Sequence, residues 1–356
     1  MKVSRYPLSI GFTGPIKPPR RYSHLIHSLV PDLEEFKKMI NERSKPSEKG
    51  GKAKLGDYEK KWIGLAESVL SSQNLILASP PDSKKITEWG VRFPHCRSLV
   101  TTVENMLELS RCSRGPLRLP PILLAGPPGV GKTAVALELA KVLGVPSYTA
   151  NMGQATAGFV LNGASLVWAS GKSGGVLDLL LRGTGNPVMV LDELDKAGNF
   201  TPSNGANGAI ADSILGLLEP LTSREFRDEA LDWPVDASRV LWIATANDLS
   251  RVPDPLLSRF HVVEVSEPTR EEMEEVIIPS LYRDILEEYN LTKIFPEKIP
   301  GSVARVLGQN PRTVRRRMIA LLAKASGMNS SLLGEGMISD EQVGSMGRTM
   351  GFQAGR

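Results

Sequence analysis

The chain has 356 residues, of which 41% are hydrophobic and 23% are charged, and its net charge is +4. This composition is typical of a globular protein with a buried core, and the length predicts two or three domains. No apolar run approaches the ~20 residues of a membrane helix, the N-terminus lacks a secretory signal, and Cys96 and Cys112 are too few for a disulfide scaffold, so we expect a cytoplasmic protein without a membrane partner.

The N-terminal third of the chain is predicted to be a basic arm followed by helices. Residues 1–22 are rich in proline and basic residues, and we expect them to be disordered. Residues 1–61 hold 14 Lys and Arg against 7 Asp and Glu, a net charge of +7 (14 − 7). This charge could hold nucleic acid or an acidic partner, or it could belong to a solvated helical surface. Within a helical region over 23–115, apolar spacing predicts helices after Asp32, from Asp57 and over 98–112.

The pattern changes after residue 115, where short apolar runs alternate with helical patterns. The predicted strands are Ile122–Ala125, Val188–Leu191, Val240–Ala246 and His261–Val265, and the predicted helices lie near 132–143, 174–183 and 209–219. Alternation of strand and helix predicts an α/β domain over 116–266, with a parallel sheet between two layers of helices.

A second helical pattern follows the predicted α/β domain. The predicted helices lie at 270–288 with a break near Pro279, at 301–308 and at 311–326. They predict a small helical domain over 267–326. Residues 327–356 are rich in glycine and methionine without periodicity, and we expect a flexible tail.

The sequence GPPGVGKT at 126–133 lies between a predicted strand and a predicted helix. Its members are Gly126, Pro127, Pro128, Gly129, Val130, Gly131, Lys132 and Thr133. Glycines in this arrangement let backbone N–H groups surround phosphate oxygens at the N-terminus of a helix. The lysine then reaches the β- and γ-phosphates, and the Thr133 hydroxyl ligates Mg²⁺. The motif therefore predicts binding of ATP with Mg²⁺.

Two carboxylates end the predicted strand about 60 residues further along the chain. Asp192 and Glu193 follow Val188–Leu191, at the strand end where ligands bind in open α/β sheets. Asp192 is predicted to join the Mg²⁺ coordination shell. Glu193 is predicted to polarise the water that attacks the γ-phosphate, so the pair indicates hydrolysis as well as binding.

The sequence from 118 to 325 resembles the AAA+ ATPases, and within them the ATPase module of the Lon protease family. The resemblance rests on GPPGVGKT at 126–133, NPVMVLDELDKA at 186–197, LLEPLTSREFRDEALDWPVD at 217–236, VLWIATAND at 240–248 and PLLSRF at 255–260. It implies a five-stranded AAA+ P-loop domain with a C-terminal helical lid.

The resemblance also implies roles for three polar residues. Asn247 matches the sensor that orients the attacking water, and Arg259 matches the arginine finger that acts on a neighbouring subunit's nucleotide. Arg312 matches a second sensor that reaches the phosphates from the lid, with Arg315 and Arg316 as rival candidates.

Trp168 lies in a stretch rich in glycine and serine, where the Lon pattern places an aromatic residue of the axial pore. A large amphipathic ring on a loop could grip an extended polypeptide. The alternative is a tryptophan packed in the core.

These features predict a hexameric AAA+ motor that hydrolyses ATP and unfolds, threads or remodels a polypeptide. An ATP-dependent nucleic-acid motor or loader and a non-motor ATP switch are the alternatives. We expect no peptidase activity, because the 30 residues after Ser326 are too few for the Lon protease domain and carry no serine–lysine motif.

Overall fold

The computed structural model describes residues 26–45, 56–153, 159–197, 206–328, 330–334 and 337. The predicted basic arm over 1–22 and most of the predicted tail over 327–356 lie outside these residues. The described chain begins with β1 (Ile26–Ser28), α1 (Leu33–Arg43), α2 (Asp57–Ser71), β2 (Asn74–Ile76), α3 (Ser83–Arg92) and α4 (Arg97–Cys112).

The predicted N-terminal helices are present, and Asp32 begins α1 by accepting a hydrogen bond from the backbone N–H of Glu35 at 3.0 Å. Helix α3 is not expected from the sequence, because it has only ten residues and buries only two side chains, those of Ile86 and Trp89. The short antiparallel pair β1–β2 is also an addition to the prediction.

The α/β part contains β3 (Ile122–Ala125), α5 (Lys132–Leu143), β4 (Ser147–Asn151), α6 (Phe159–Asn162), α7 (Gly175–Leu180), β5 (Val188–Asp192), α8 (Ala206–Leu218), β6 (Phe226–Arg227), β7 (Pro234–Val235), β8 (Leu241–Ala246), α9 (Asp254–Leu257) and β9 (His261–Glu264). The four predicted strands occur with ends within one residue of the prediction. Strand β4 was not predicted, since its sequence SYTAN is mostly polar.

The main sheet has five parallel strands in the order β4-β5-β8-β3-β9, which confirms the predicted parallel α/β fold. The apolar residues of β3, β5 and β8 are buried, as expected for strands covered on both faces. Since β8 lies between β3 and β5, the carboxyl ends of these three strands meet at one edge of the sheet.

The C-terminal helices form a separate layer with its own core. They are α10 (Arg270–Glu272), one π-helical turn (Met273–Ile277), α11 (Ile278–Glu288), α12 (Gly301–Leu307) and α13 (Pro311–Gly327). The predicted break near Pro279 occurs as this π turn. Proline lacks a backbone N–H and its ring crowds the preceding turn, so the regular α-helical hydrogen bonds cannot continue through it.

The N-terminal helices pack against the same core as the sheet. Phe36 and Trp62 belong to one hydrophobic cluster with Met189 and Leu191 of β5. Leu99 of α4 belongs to the cluster on the opposite face, with Leu124 of β3. Both thiols are free, with Cys96 buried and Cys112 exposed. Among the described helices, none has the length and apolar character to span a membrane.

Candidate nucleotide-binding site

The phosphate loop, residues 126–133, follows β3 directly and depends on glycine. The N–H of Gly126 donates to the carbonyl of Ala246 at 3.2 Å, which fixes the start of the loop beside the end of β8. A Cβ atom on Gly126 would lie 2.0 Å from the carbonyl oxygen of Val265, so no other residue fits. Gly131 has a φ of 98° and begins α5, whose N-terminus therefore points at the loop.

Lys132 is folded back into the loop, and its side chain is largely buried, with 7% exposed. Its ammonium donates to the carbonyls of Gly126 at 2.7 Å and Pro127 at 2.8 Å, and to Oδ1 of Asn247 at 2.8 Å. Burial lowers the pKa of Lys132, while the nearby carboxylates of Asp195 and Asp192 oppose that shift. The loop lysine and the predicted sensor Asn247 are thus in direct contact.

Asp192 binds two hydroxyl groups, and strand register brings one of them, that of Thr245, beside it. Leu191 lies opposite Ala244 in the β5–β8 ladder, so the next residues, Asp192 and Thr245, are neighbours. Oδ1 of Asp192 accepts hydrogen bonds from Thr133 at 2.6 Å and from Thr245 at 2.7 Å. The two predicted metal ligands, Thr133 and Asp192, therefore lie together.

Glu193 adopts a left-handed backbone conformation with a φ of 58°, which is uncommon for a non-glycine residue. Its N–H donates to Oγ1 of Thr245 at 2.9 Å, and its carboxylate forms an ion pair with Lys196 at 2.6 Å. Such strain persists only where the surroundings impose it, and it recurs at active sites.

A cleft of 340 Å³ lies between this sheet edge and the lid. It is lined by Pro128, Gly129, Gly131, Lys132, Thr133, Ala134, Asp192, Glu193, Lys196, Thr245, Asn247, Leu281, Pro311, Arg312 and Arg315. Of the three lid arginines considered from the sequence, Arg312 and Arg315 line the cleft and Arg316 does not. Arg315 pairs with Glu288, whereas Arg312 has no ion pair with a described residue.

Asn310 connects the lid to the phosphate loop. Its side-chain oxygen caps α13 by accepting from the N–H groups of Arg312 and Thr313, and its side-chain nitrogen donates to the carbonyl of Pro128 at 3.3 Å. A movement of α13 would therefore act directly on the loop.

Arg259 and Trp168, two of the predicted functional residues, do not line the cleft. Arg259 follows α9 at the surface, where its guanidinium forms an ion pair with Glu219 and contacts the hydroxyl of Ser258 at 3.3 Å. Trp168 is 69% exposed at the tip of a hairpin, so packing in the core of the described chain is not its role.

Several residues of this site were not singled out from the sequence. Thr245 binds Asp192, and Lys196 binds Glu193. Asn310 joins the lid to the phosphate loop. The buried ring of His95 contacts the carbonyl of Val130 at 3.1 Å. Burial lowers the pKa of His95, which favours a neutral ring that donates this hydrogen bond. Thr245 and Lys196 lie within the quoted motifs at 240–248 and 186–197, which could have indicated them.

The donor set fits magnesium. Thr133 and Asp192 offer hydroxyl and carboxylate oxygens, and Mg²⁺ characteristically takes one or two carboxylates and completes its shell with phosphate oxygens and water. No cluster of three or more His, Cys, Asp or Glu side chains suited to a metal occurs among the described residues.

The sequence is similar to those of known nucleotide-binding proteins. Residues 122–267 match the model of the ATPase family associated with various cellular activities (AAA). A peroxisomal Lon protease homolog 2 of Oryza sativa is 32% identical over 221 residues, which are 60% of this chain and 24% of that protein. A Lon protease of Halothermothrix orenii is 31% identical over 231 residues, which are 63% of this chain and 29% of that protein.

A solved structure agrees in fold. The closed-state cryo-EM reconstruction of Hsp104 with ATPγS and FITC-casein has a TM-score of 0.54 and 16% identity, covering 68% of this chain and 46% of that one. The chain spans about a quarter of the length of the Lon relatives, 24% and 29% in the two cases. Residues 122–267 are an AAA domain, and the chain carries a Lon-like AAA+ ATPase module.

Proposed function

We propose that this chain hydrolyses ATP to ADP and phosphate. The observation that carries the proposal is the convergence of Lys132, Asp192, Glu193 and Asn247 on one cleft, at the carboxyl ends of three neighbouring strands. Loop N–H groups and Lys132 would bind the phosphates, and Arg312 would reach them from the lid.

In the proposed reaction, Glu193 accepts a proton from the water that attacks the γ-phosphorus, and Asn247 orients that water. Thr133 and Asp192 would hold Mg²⁺, which when bound neutralises charge on the phosphate oxygens. The ion pair of Glu193 with Lys196 holds the carboxylate at the cleft wall.

The proposed working form is a homo-oligomer, with a hexamer as the expected number. Arg259 lies outside its own chain's cleft, on an exposed turn after α9. An arginine in that place can stabilise charge only on a nucleotide bound by a neighbouring copy. Activity per molecule should then rise with protein concentration.

The proposed substrate of the motor is a polypeptide. Val167 and Trp168 project from the hairpin with 72% and 69% of their surface exposed, an arrangement that favours contact with an extended chain. The Lon relatives are named as proteases, and the solved Hsp104 structure includes a casein, which agrees with this choice.

The test compares ATP hydrolysis by the purified chain alone and with denatured polypeptide, single-stranded DNA or RNA. We expect stimulation by the polypeptide. Salt-sensitive stimulation by DNA or RNA alone would favour the nucleic-acid motor instead. Full function of a Glu193→Gln variant would favour the non-motor switch.

We further propose that this chain does not itself cleave peptide bonds, since its sequence carries no serine–lysine motif. Incubation of labelled casein with the chain and ATP tests this proposal. Release of acid-soluble fragments that scales with the purified chain would contradict it.

A further inference from the structure

The hairpin that carries Trp168 has a narrow neck built from glycine. Ala164 and Lys172 exchange backbone hydrogen bonds of 2.8 and 3.1 Å. A Cβ atom on Gly174 would lie 2.1 Å from the carbonyl oxygen of Leu161, and one on Gly171 would lie 2.1 Å from that of Ser165. The two arms of the neck are thus in backbone contact, which side chains at these positions would prevent.

The turn between β6 and β7, residues 228–233, binds both arms of this neck. The carbonyl of Asn162, before the hairpin, accepts from the N–H of Glu229 at 2.7 Å. After the hairpin, the N–H of Gly174 donates to Oδ2 of Asp228 at 2.7 Å. The other oxygen of Asp228 accepts from Ala230 at 2.9 Å and Leu231 at 3.3 Å.

Asp228 is unusual because its side chain is a fully buried carboxylate, with 0% of the residue exposed. A buried carboxylate is costly unless its oxygens accept hydrogen bonds. Asp228 does not line the nucleotide cleft, so neither ATP binding nor hydrolysis accounts for a buried carboxylate at this position. The hydrogen bonds of Asp228 do account for the buried carboxylate, because they join the neck to the turn.

The N-terminal helices hold the turn from its other side. The indole N–H of Trp62 in α2 donates to the carbonyl of Leu231 at 2.8 Å, and Trp62 is fully buried. The guanidinium of Arg43 in α1 lies 4.4 Å from the centre of the same indole ring. A continuous set of contacts therefore runs from α1 and α2 through the turn to the hairpin.

We propose that Asp228 is a positioning residue, which together with Trp62 fixes the Trp168 hairpin to the N-terminal helices. The region before the AAA domain then serves as the rigid base of the arm that grips the polypeptide. This inference rests on the proposed function, in that Trp168 must contact the substrate for its position to matter. A rigid base lets a movement of the domain pull on the substrate instead of bending the loop.

Asp228→Asn tests the proposal because it replaces two acceptor oxygens by one. The amide can keep the contacts within the turn or the contact to Gly174, but not both. We expect amide hydrogen exchange in 163–174 to become about tenfold faster, because a buried N–H loses its acceptor. Stimulation of ATP hydrolysis by denatured casein should fall to the basal rate, with the basal kcat and the KM for ATP unchanged.

Asp232→Asn is the matched control, since Asp232 lies in the same turn but is exposed and makes no contact with the neck. It should behave as the parent chain does. Unchanged exchange in the neck of Asp228→Asn overturns the proposal, and so does faster exchange with full casein stimulation. If Trp168→Ala retains stimulation, the gripping function fails, while the exchange measurement still decides whether Asp228 holds the neck.

Trp62→Phe provides a second variant, to be used if amide hydrogen exchange in Asp228→Asn is rapid throughout the chain. It keeps a buried aromatic ring, although a smaller one, and removes the N–H that binds Leu231. We expect faster exchange in 228–233 and in 163–174 together, with weaker casein stimulation. Protection equal to that of the parent chain in both segments would contradict the proposed base.

Discussion

The ammonium of Lys132 lies 2.8 Å from Oδ1 of Asn247, so a side-chain hydrogen bond joins the phosphate loop to the residue that follows β8. The other two contacts of this ammonium are to loop carbonyls, which are weaker acceptors than a phosphate. Arrival of a γ-phosphate would draw Lys132 toward the anion and release Asn247. Its side chain would then be available to orient a water.

Asn247→Ala should therefore impair the chemical step more than nucleotide binding. We expect kcat for ATP hydrolysis to fall about 10²-fold, as for other lost transition-state donors, with a smaller change in KM. Steady-state kinetics and binding of a fluorescent ATP analogue check this. Asp248→Asn is the control, because Asp248 is adjacent in sequence but binds Ser250 instead. A large loss of affinity with an unchanged kcat would contradict the assigned role.

Arg259→Ala should remove hydrolysis while leaving ATP binding in place, because Arg259 is proposed to act on a neighbour's nucleotide. A loss of up to about 10³-fold is expected for an arginine finger. Arg251→Ala, which removes an exposed arginine paired with Asp248, is the control.

A mixing experiment tests the action between subunits. Lys132→Ala keeps its Arg259 but lacks a functional loop, whereas Arg259→Ala keeps its loop. Mixed oligomers contain interfaces in which an intact loop faces an intact Arg259, so activity should reappear on mixing two inactive variants. Absence of any recovery in verified mixed oligomers would contradict action in trans.

Trp168→Ala should abolish the stimulation of ATP hydrolysis by a denatured polypeptide. The ring is exposed at the hairpin tip, so its removal takes away a contact surface rather than a part of the core. Leu109→Ala removes a similarly exposed apolar side chain, 64% exposed on α4, and serves as the control. Equal stimulation of both variants would contradict the gripping role.

Asp228 gives the stability of the chain a specific pH dependence. Burial raises its pKa from 3.8 to about 6, so between these values the folded chain binds a proton that the unfolded chain does not. The contribution of this residue to the free energy of unfolding therefore increases as the pH falls from about 6 toward 4.

Urea unfolding of the parent chain and of Asp228→Asn at pH 7 and pH 4.5 measures this effect. The advantage of the parent chain should be about 2 kcal/mol larger at the lower pH, since one pKa unit corresponds to about 1.4 kcal/mol. The same advantage at both pH values would show that the carboxyl does not titrate in this range.

The sequence predicted those parts of the fold whose local pattern carries the information. Strands β3, β5 and β8 are continuous apolar runs, and the glycines at 126, 129 and 131 have a fixed spacing. Strand β4 lies at the sheet edge and is mostly polar, so its sequence contains no apolar run, and α3 is short, with only two buried side chains.

The local sequence pattern does not predict the long-range contacts, and there is a physical reason. Thr245 binds Asp192, and Trp62 binds Leu231, which is 169 positions away. These pairs depend on strand register and on packing between distant segments, and periodicity reports neither. The glycine neck below Trp168 is likewise not predicted by periodicity. It depends on the close approach of Gly163 and Gly174, which are brought together only in the folded chain.

The central claim is that Glu193 activates the water that cleaves ATP, and Glu193→Gln tests it most directly. The amide retains the shape of the side chain but cannot accept the proton. ATP binding should remain close to that of the parent chain while hydrolysis falls by about 10²- to 10⁴-fold. Glu297→Gln, at an exposed site of the lid, should leave both unchanged. Hydrolysis by Glu193→Gln at the rate of the parent chain would contradict the account.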